Sequence, residues 1–170
     1  MKATIEVILG DITKVEVDAI VNAANEGLWG GGGVDGAIHA AAGPSLAADC
    51  DVIRERDDGC PTGKAVATGA GRLPCRRVIH TVGPIWSGGG EGEAELLASC
   101  YRESLELARR EGLRSLAFPN ISTGVYGFPK AKAAEIARRT VREWFSENEG
   151  IDRVVFVCFD RENFTLYEGS

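Results

Sequence analysis

Four consecutive glycines, 30–33, lead into Val34 and Asp35, so a carboxylate stands where a helix opens beside a run of bare backbone. With no side chains on that run, an anion can approach the main chain closely and be held by its N–H groups. A carboxylate two residues past such a cradle repels the ligand that the cradle attracts, a conflict that points to chemistry for Asp35. The bland alternative is an N-terminal helix carboxylate, worth about 0.3–1 kcal/mol of dipole stabilisation. Asn22 and Asn25 precede the glycines. Two amides three residues apart suit a polar contact to a sugar hydroxyl for Asn25 and turn structure for Asn22.

A second glycine-punctuated turn, Ser122-Thr123-Gly124-Val125-Tyr126, runs towards Pro129 and aims hydroxyls and N–H groups where a phosphate would rest. Two such cradles suit a diphosphate. Tyr126 reads either as a lid over a sugar or as a core anchor, and spacing leaves both open. Asp11 either caps a turn or accepts from the exocyclic amine of a base. Phe159 offers an aromatic face to a base or anchors the core. His39 shares a helical face with Asp35, which makes a dyad tempting. A histidine in Ala-Ile-His-Ala reads rather as a packed, hydrogen-bonded residue, and His80 in Val-Ile-His-Thr-Val reads the same way.

Two nucleotide motifs fail on inspection. Gly31, Gly33 and Gly36 satisfy Gly-x-Gly-x-x-Gly, but a dinucleotide fold wants an acid ending the next strand about 20 residues on. Arg54-Glu55-Arg56-Asp57-Asp58 looks instead like a solvated helix end. The stretch 59–64 has its glycines one residue too close for a P-loop, and Ala65 replaces the magnesium-binding hydroxyl. No Cys/His spacing suits a catalytic metal, and no cofactor is expected.

These residues need a scaffold. Strands are expected at 3–9, 18–22, 65–70, 77–82, 115–119 and 153–159, each apolar or period-two and bounded by Gly, Pro or Asp. Helices are expected at about 34–42, after Pro44, at 93–110 and from about Pro129. Strands separated by such helices imply an α/β fold, a three-layer α/β/α domain with a largely parallel sheet. The short link 71–74 makes 65–70 and 77–82 a hairpin, so the sheet is expected to be mixed. In such sheets ligands sit outside the carboxyl ends of the strands, where all the candidate residues fall. The stretch 87–92 reads as a mobile surface loop.

The chain of 170 residues is expected to form one domain, 1–170, burying roughly 70% of its unfolded surface. Glycine, 22 of 170 against a usual share of about 7%, gathers where turns are expected. The net charge of −6 disfavours salt-driven capture of nucleic acid, so backbone amides must do any phosphate binding. Five cysteines without a Cys-x-x-Cys pair argue for reduced thiols, and no apolar run suits a membrane span. A soluble, cytoplasmic monomer is the expectation.

Taken together, Gly10-Asp11-Ile12-Thr13, Val21-Asn22-Ala23-Ala24-Asn25, the stretch 30–43, Cys60-Pro61-Thr62-Gly63, Ile79-His80-Thr81-Val82-Gly83-Pro84 and the stretch 121–128 closely resemble the macrodomain family. Within it they are most similar to bacterial MacroD-type hydrolases. The matches span nearly the whole chain in the family's order. The resemblance implies a macrodomain-like fold with a mixed six-stranded sheet that binds ADP-ribose. It implies Asp11 and Ile12 at the adenine, Asn25 at the distal ribose and Phe159 near the adenine. Gly32, Gly33, Val34 and Asp35, with Ser122, Thr123, Gly124, Val125 and Tyr126, would surround the diphosphate and distal ribose. It further implies that Asp35, with Asn25, assists attack of water on an ester. Acetate would leave O-acetyl-ADP-ribose, or ADP-ribose would be freed from a mono-ADP-ribosylated Asp or Glu of a protein. A non-enzymatic ADP-ribose reader and a phosphatase acting on ADP-ribose 1″-phosphate stay open as alternatives. Trp29, Ala40 and Asn120 depart from the family's usual residues, and Trp29 is placed to narrow the entrance.

Overall fold

The computed structural model describes residues 3–169. The apolar runs fold as β1 (Thr4–Leu9), β2 (Ala19–Ala23), β3 (Ala65–Gly69), β4 (Arg77–Thr81), β5 (Ser115–Phe118) and β6 (Arg153–Cys158). Among the described residues they form one six-stranded sheet in the order β1-β6-β5-β2-β4-β3. Every neighbouring pair is parallel except β3 with β4, the expected hairpin, which supplies an antiparallel edge. Central β2 and β5 are buried on both faces, as parallel strands covered by helices must be.

Helices α1 (Gly33–Ala42) and α2 (Pro44–Asp57) cover one face, where Ile38 and Leu46 meet Ile20, Val78, Val155 and Val157. Helices α3 (Glu93–Arg110), α4 (Lys130–Glu147) and α5 (Arg161–Gly169) cover the other. There Leu97, Tyr101, Ser104 and Ala108 of α3 and Ile136, Ala137, Val141 and Trp144 of α4 are all buried, as their spacing requires. Tyr101, Phe118, Phe156 and Tyr167 form the aromatic centre of this layer, with ring centroids 4.9–6.3 Å apart.

Helix α5 is not visible in the apolar pattern. It is nine residues long and buries only Asn163 and Tyr167 among its fully described positions, too few points to define a period. Its start is nevertheless marked: Asp160 Oδ1 accepts from the Asn163 N–H at 2.8 Å, an N-terminal cap.

The stretch 87–92 lies on the surface, yet its backbone is tied down. The buried Glu93 carboxylate accepts from the N–H groups of Ser87 (2.8 Å), Gly89 (3.0 Å) and Glu91 (2.7 Å). The Ser87 N–H foremost, helped by those of Gly89 and Glu91, pulls the Glu93 carboxyl from its ordinary 4.5 down to about 2. A carboxyl so depressed stabilises the fold fully above pH ~4.5 and loses that contribution as pH falls towards its folded value. Glu93→Gln is therefore expected to speed hydrogen exchange at the Ser87, Gly89 and Glu91 amides at neutral pH and to flatten the acid limb of stability between those two pH values. Unchanged exchange at all three amides would refute the tether.

Strand order decides where the loops meet. The chain leaves β2 towards β3 and β4 on one side, while β5 pairs with β2 on the other, so the sheet's direction of winding switches between β2 and β5. The crevice outside the carboxyl ends at such a switch is where a ligand fits in an open α/β sheet.

Candidate active site

Asp35 enters the site from the first turn of α1, 7% exposed. Its Oδ1 accepts from Asn22 Nδ2 at 2.8 Å, and His39 Nε2 lies 3.4 Å from the same oxygen. Its Oδ2 lies on the side of Gly31, 3.7 Å from where a Cβ on that residue would stand. One oxygen is thus restrained from below and the other is presented to the glycine loop. The His39 side chain is largely buried beside Gly30 and also makes the Asp35 contact that its helical spacing allows.

The loop between β2 and α1 is held by Asn25. Its Oδ1 accepts from the Trp29 N–H at 3.0 Å and its Nδ2 donates to the Gly30 carbonyl at 3.2 Å. One N–H of that amide is left over for a ligand. The exposed Trp29 indole packs on Gly27, with the Arg54 guanidinium 3.7 Å above the ring centroid. Arg54 is itself fixed by the Gly27 and Leu28 carbonyls and by Asp51.

Gly33 opens α1 at φ +58°, a conformation that side chains disfavour. Helix α1 has no side-chain N-cap, so the first-turn N–H groups of Gly33, Val34 and Asp35 have no intrahelical partner and face outward with the positive end of the dipole. A Cβ on Gly32 or Gly33 would meet nothing, which marks open space over this cradle. A Cβ on Gly36 would overlap the Gly31 carbonyl oxygen, so Gly36 lets the helix lie directly against the loop.

The second cradle follows β5. Ser122 is buried and left-handed at φ +65°, a conformation that costs a non-glycine residue roughly 1–3 kcal/mol. Its Oγ is buried without a hydrogen-bond partner. Thr123 Oγ1 donates to the Asn120 carbonyl at 3.0 Å, and the Phe128 N–H returns to the Ser122 carbonyl at 2.9 Å. The Trp86 N–H donates to the Tyr126 carbonyl at 2.8 Å, which ties this loop to the one that Glu93 anchors. Tyr126 is half-buried, whereas Gly124 and Val125 are exposed. Asn120 reaches across to β6, with Nδ2 3.5 Å from Cys158 Sγ.

At the far end of the crevice, Asp11 is exposed and uses one oxygen as a cap, Oδ1 accepting from the Thr13 N–H (2.9 Å) and hydroxyl (2.7 Å). Those bonds, the hydroxyl's first, hold its carboxyl below the ordinary carboxylate range. Ile12 is buried in the core, which leaves its main chain for any ligand. Phe159 is 71% exposed, so it is a free aromatic face and no core anchor.

Sequence reasoning assigned Asn22 to turn structure and His80 to packing, and missed that the two meet beneath Asp35. Asn22 pairs with His80 in the β2–β4 register, and Asn22 Nδ2 lies 3.1 Å from His80 Nδ1. No linear signal joins residues 58 positions apart. A broad concavity lined by Ile5, Arg114, Arg142, Phe145 and Ile151 lies at the amino ends of the strands and contains none of the candidate residues. Among the described residues no group of three His, Cys, Asp or Glu is disposed to hold a metal ion, and no helix is long and apolar enough to cross a membrane.

A sheet of this order, with two glycine-punctuated backbone turns at its switch point and a restrained carboxylate beside one of them, defines an α/β domain with a candidate anion site. The chain belongs to the Macro domain family, whose model matches residues 21–137. It is 59% identical over 162 residues to the O-acetyl-ADP-ribose deacetylase of Klebsiella pneumoniae, covering 95% of this chain and 93% of that one. It is 56% identical over 168 residues to the O-acetyl-ADP-ribose deacetylase of Cronobacter turicensis, covering 99% and 96%. Its fold superposes on a mutant of the Oceanobacillus iheyensis macrodomain with ADPR at a TM-score of 0.95 and 46% identity, covering 99% of this chain and 91% of that one.

Proposed function

We propose that this chain hydrolyses O-acetyl-ADP-ribose to ADP-ribose and acetate, with Asp35 as the base and Asn25 holding the distal ribose. The observation that carries the reading is Asp35 itself: a nearly buried carboxylate with Oδ1 restrained by Asn22 and Oδ2 on the glycine-loop side. A reader domain gains nothing from a carboxylate set against a phosphate cradle. The N–H groups of the 32–35 turn and the 122–126 loop hold the diphosphate. Oδ2 takes a proton from water as the oxygen attacks the acetyl carbonyl carbon. The tetrahedral intermediate then breaks its bond to the ribose oxygen, which recovers a proton and leaves as the sugar hydroxyl. The same chemistry extends to mono-ADP-ribosylated Asp and Glu side chains of proteins, since they too are ribose esters.

Residues 1–170 act as one domain and, in this reading, as a cytoplasmic monomer with reduced thiols. Incubation with O-acetyl-ADP-ribose is expected to release acetate and ADP-ribose in equal amounts. ADP-ribose bound but no acetate formed would leave a reader, and phosphate released from ADP-ribose 1″-phosphate alone would make it a phosphatase. With Asp11 and the Ile12 main chain at the adenine, Phe159 stacks on the base. Phe159→Ala is expected to weaken ADP-ribose binding by about 1–3 kcal/mol, the usual worth of an aromatic–base stack, measured by calorimetry. An unchanged Kd would remove Phe159 from the site.

A further inference from the structure

Asp35 and three buried side chains from three adjacent strands beneath it form one hydrogen-bonded chain. Asn22 of β2 donates to Asp35 Oδ1 at 2.8 Å and lies 3.1 Å from Nδ1 of His80 on β4. His80 Nε2 lies 2.9 Å from Thr68 Oγ1 on β3, and that hydroxyl donates to the Gly69 carbonyl at 2.9 Å. Asn22 and His80 are fully buried and Thr68 is 3% exposed.

Counting donors and acceptors fixes every proton in this chain. The Asn22 nitrogen must face Asp35, because its oxygen would oppose a carboxylate oxygen at hydrogen-bond distance. The second N–H of that nitrogen then points at His80 Nδ1, which must carry a lone pair. His80 is therefore neutral with its proton on Nε2, where it donates to Thr68, whose own proton is committed to Gly69. Burial agrees, pushing the His80 ring down to about 3, with His39 opposing charge as a smaller cause. Asn22 Oδ1 has no hydrogen-bond partner, so the amide is oriented only by its two N–H bonds, one to Asp35 and one to His80.

We propose that His80 is a positioning residue for ester hydrolysis: its fixed Nε2–H tautomer locks the Asn22 amide, and that amide holds Asp35 with Oδ1 engaged and Oδ2 towards the substrate. The role rests on the reading of Asp35 as the base. His80 touches no substrate and acts through Asn22 alone. Outer partners that orient a reacting group are worth about 10–100-fold when removed, by analogy with those behind metal ligands.

His80→Leu is expected to lower kcat on O-acetyl-ADP-ribose about 10–100-fold while the calorimetric Kd for ADP-ribose stays within about 3-fold. His80→Asn, whose side-chain oxygen reaches the Nδ1 position and accepts from Asn22, should recover most of that loss. A folded His80→Leu protein with wild-type kcat, or an Asn variant no better than Leu, overturns the proposal. Should His80→Leu fail to fold, nitrogen-15 NMR of the histidines in the wild-type protein decides. A neutral ring protonated on Nε2 and invariant from pH 5 to 8 supports the lock, and an Nδ1–H tautomer or a charged ring refutes it. Asp35→Asn separates the two claims. Full turnover there ends the base assignment and the positioning role together, whereas a dead Asp35→Asn beside an unimpaired His80→Leu ends only the latter.

Discussion

Asp35→Ala is expected to lose about 10²–10⁴-fold in kcat on O-acetyl-ADP-ribose while still binding ADP-ribose, because a positioned base contributes on that scale. The two effects separate for a physical reason. In the proposed reading ligand affinity is carried by the N–H groups of two loops, and hydrogen bonds other than those of the carboxylate brace both: Asn25 the first, and the Phe128 and Trp86 N–H groups the second. Removing a negative charge beside a diphosphate should, if anything, tighten binding slightly. Catalysis in the same reading depends on one oxygen held at one place, and alanine removes it. Steady-state kinetics and calorimetry on the same preparation read both quantities. Full turnover by the alanine protein would sink the assignment, and loss of binding in parallel with turnover would make Asp35 a structural residue of the loop.

Gly36→Ala is expected to weaken ADP-ribose binding tenfold or more, about 1.4 kcal/mol, and to destabilise the fold. Helix propensity alone predicts the reverse, since alanine in a helix interior is favoured over glycine by about 1 kcal/mol. The added Cβ would overlap the Gly31 carbonyl oxygen, and both partners are backbone, so neither can rotate away. Overpacking of that kind costs about 1–3 kcal/mol, enough to outweigh the propensity gain. Relief requires α1 to move off the 30–33 loop, which spreads the first-turn N–H groups away from the diphosphate and shifts Asp35 with them. A raised Tm with unchanged Kd would show that propensity wins and that the helix does not bear on the loop as described.

Much of the architecture is legible in the chain. The apolar runs name all six strands because a buried parallel strand is a short continuous apolar segment, and α3 and α4 are named because 18 residues give a clear helical period. Helix α5 escapes because it buries too little to show one. The site residues divide in the same way. The two glycine-punctuated turns announce themselves, since close approach to backbone requires glycine. The tether of the 87–92 stretch does not, since nothing about Glu93 in sequence distinguishes it from the other acids near a helix start.

Read alone, the sequence determined the layer architecture and singled out the two glycine-punctuated turns and Asp35, because each is marked by residues close together in the chain. Tertiary structure decided which oxygen of Asp35 faces the glycine loop and what holds the other. Asn22 and His80 are 58 residues apart and Thr68 is 12 from His80, and they touch only because β2, β4 and β3 are adjacent in that order. Pairing of strands is a non-local choice set by how the whole sheet buries its faces, so the groups that orient a base can be invisible in a sequence that displays the base itself.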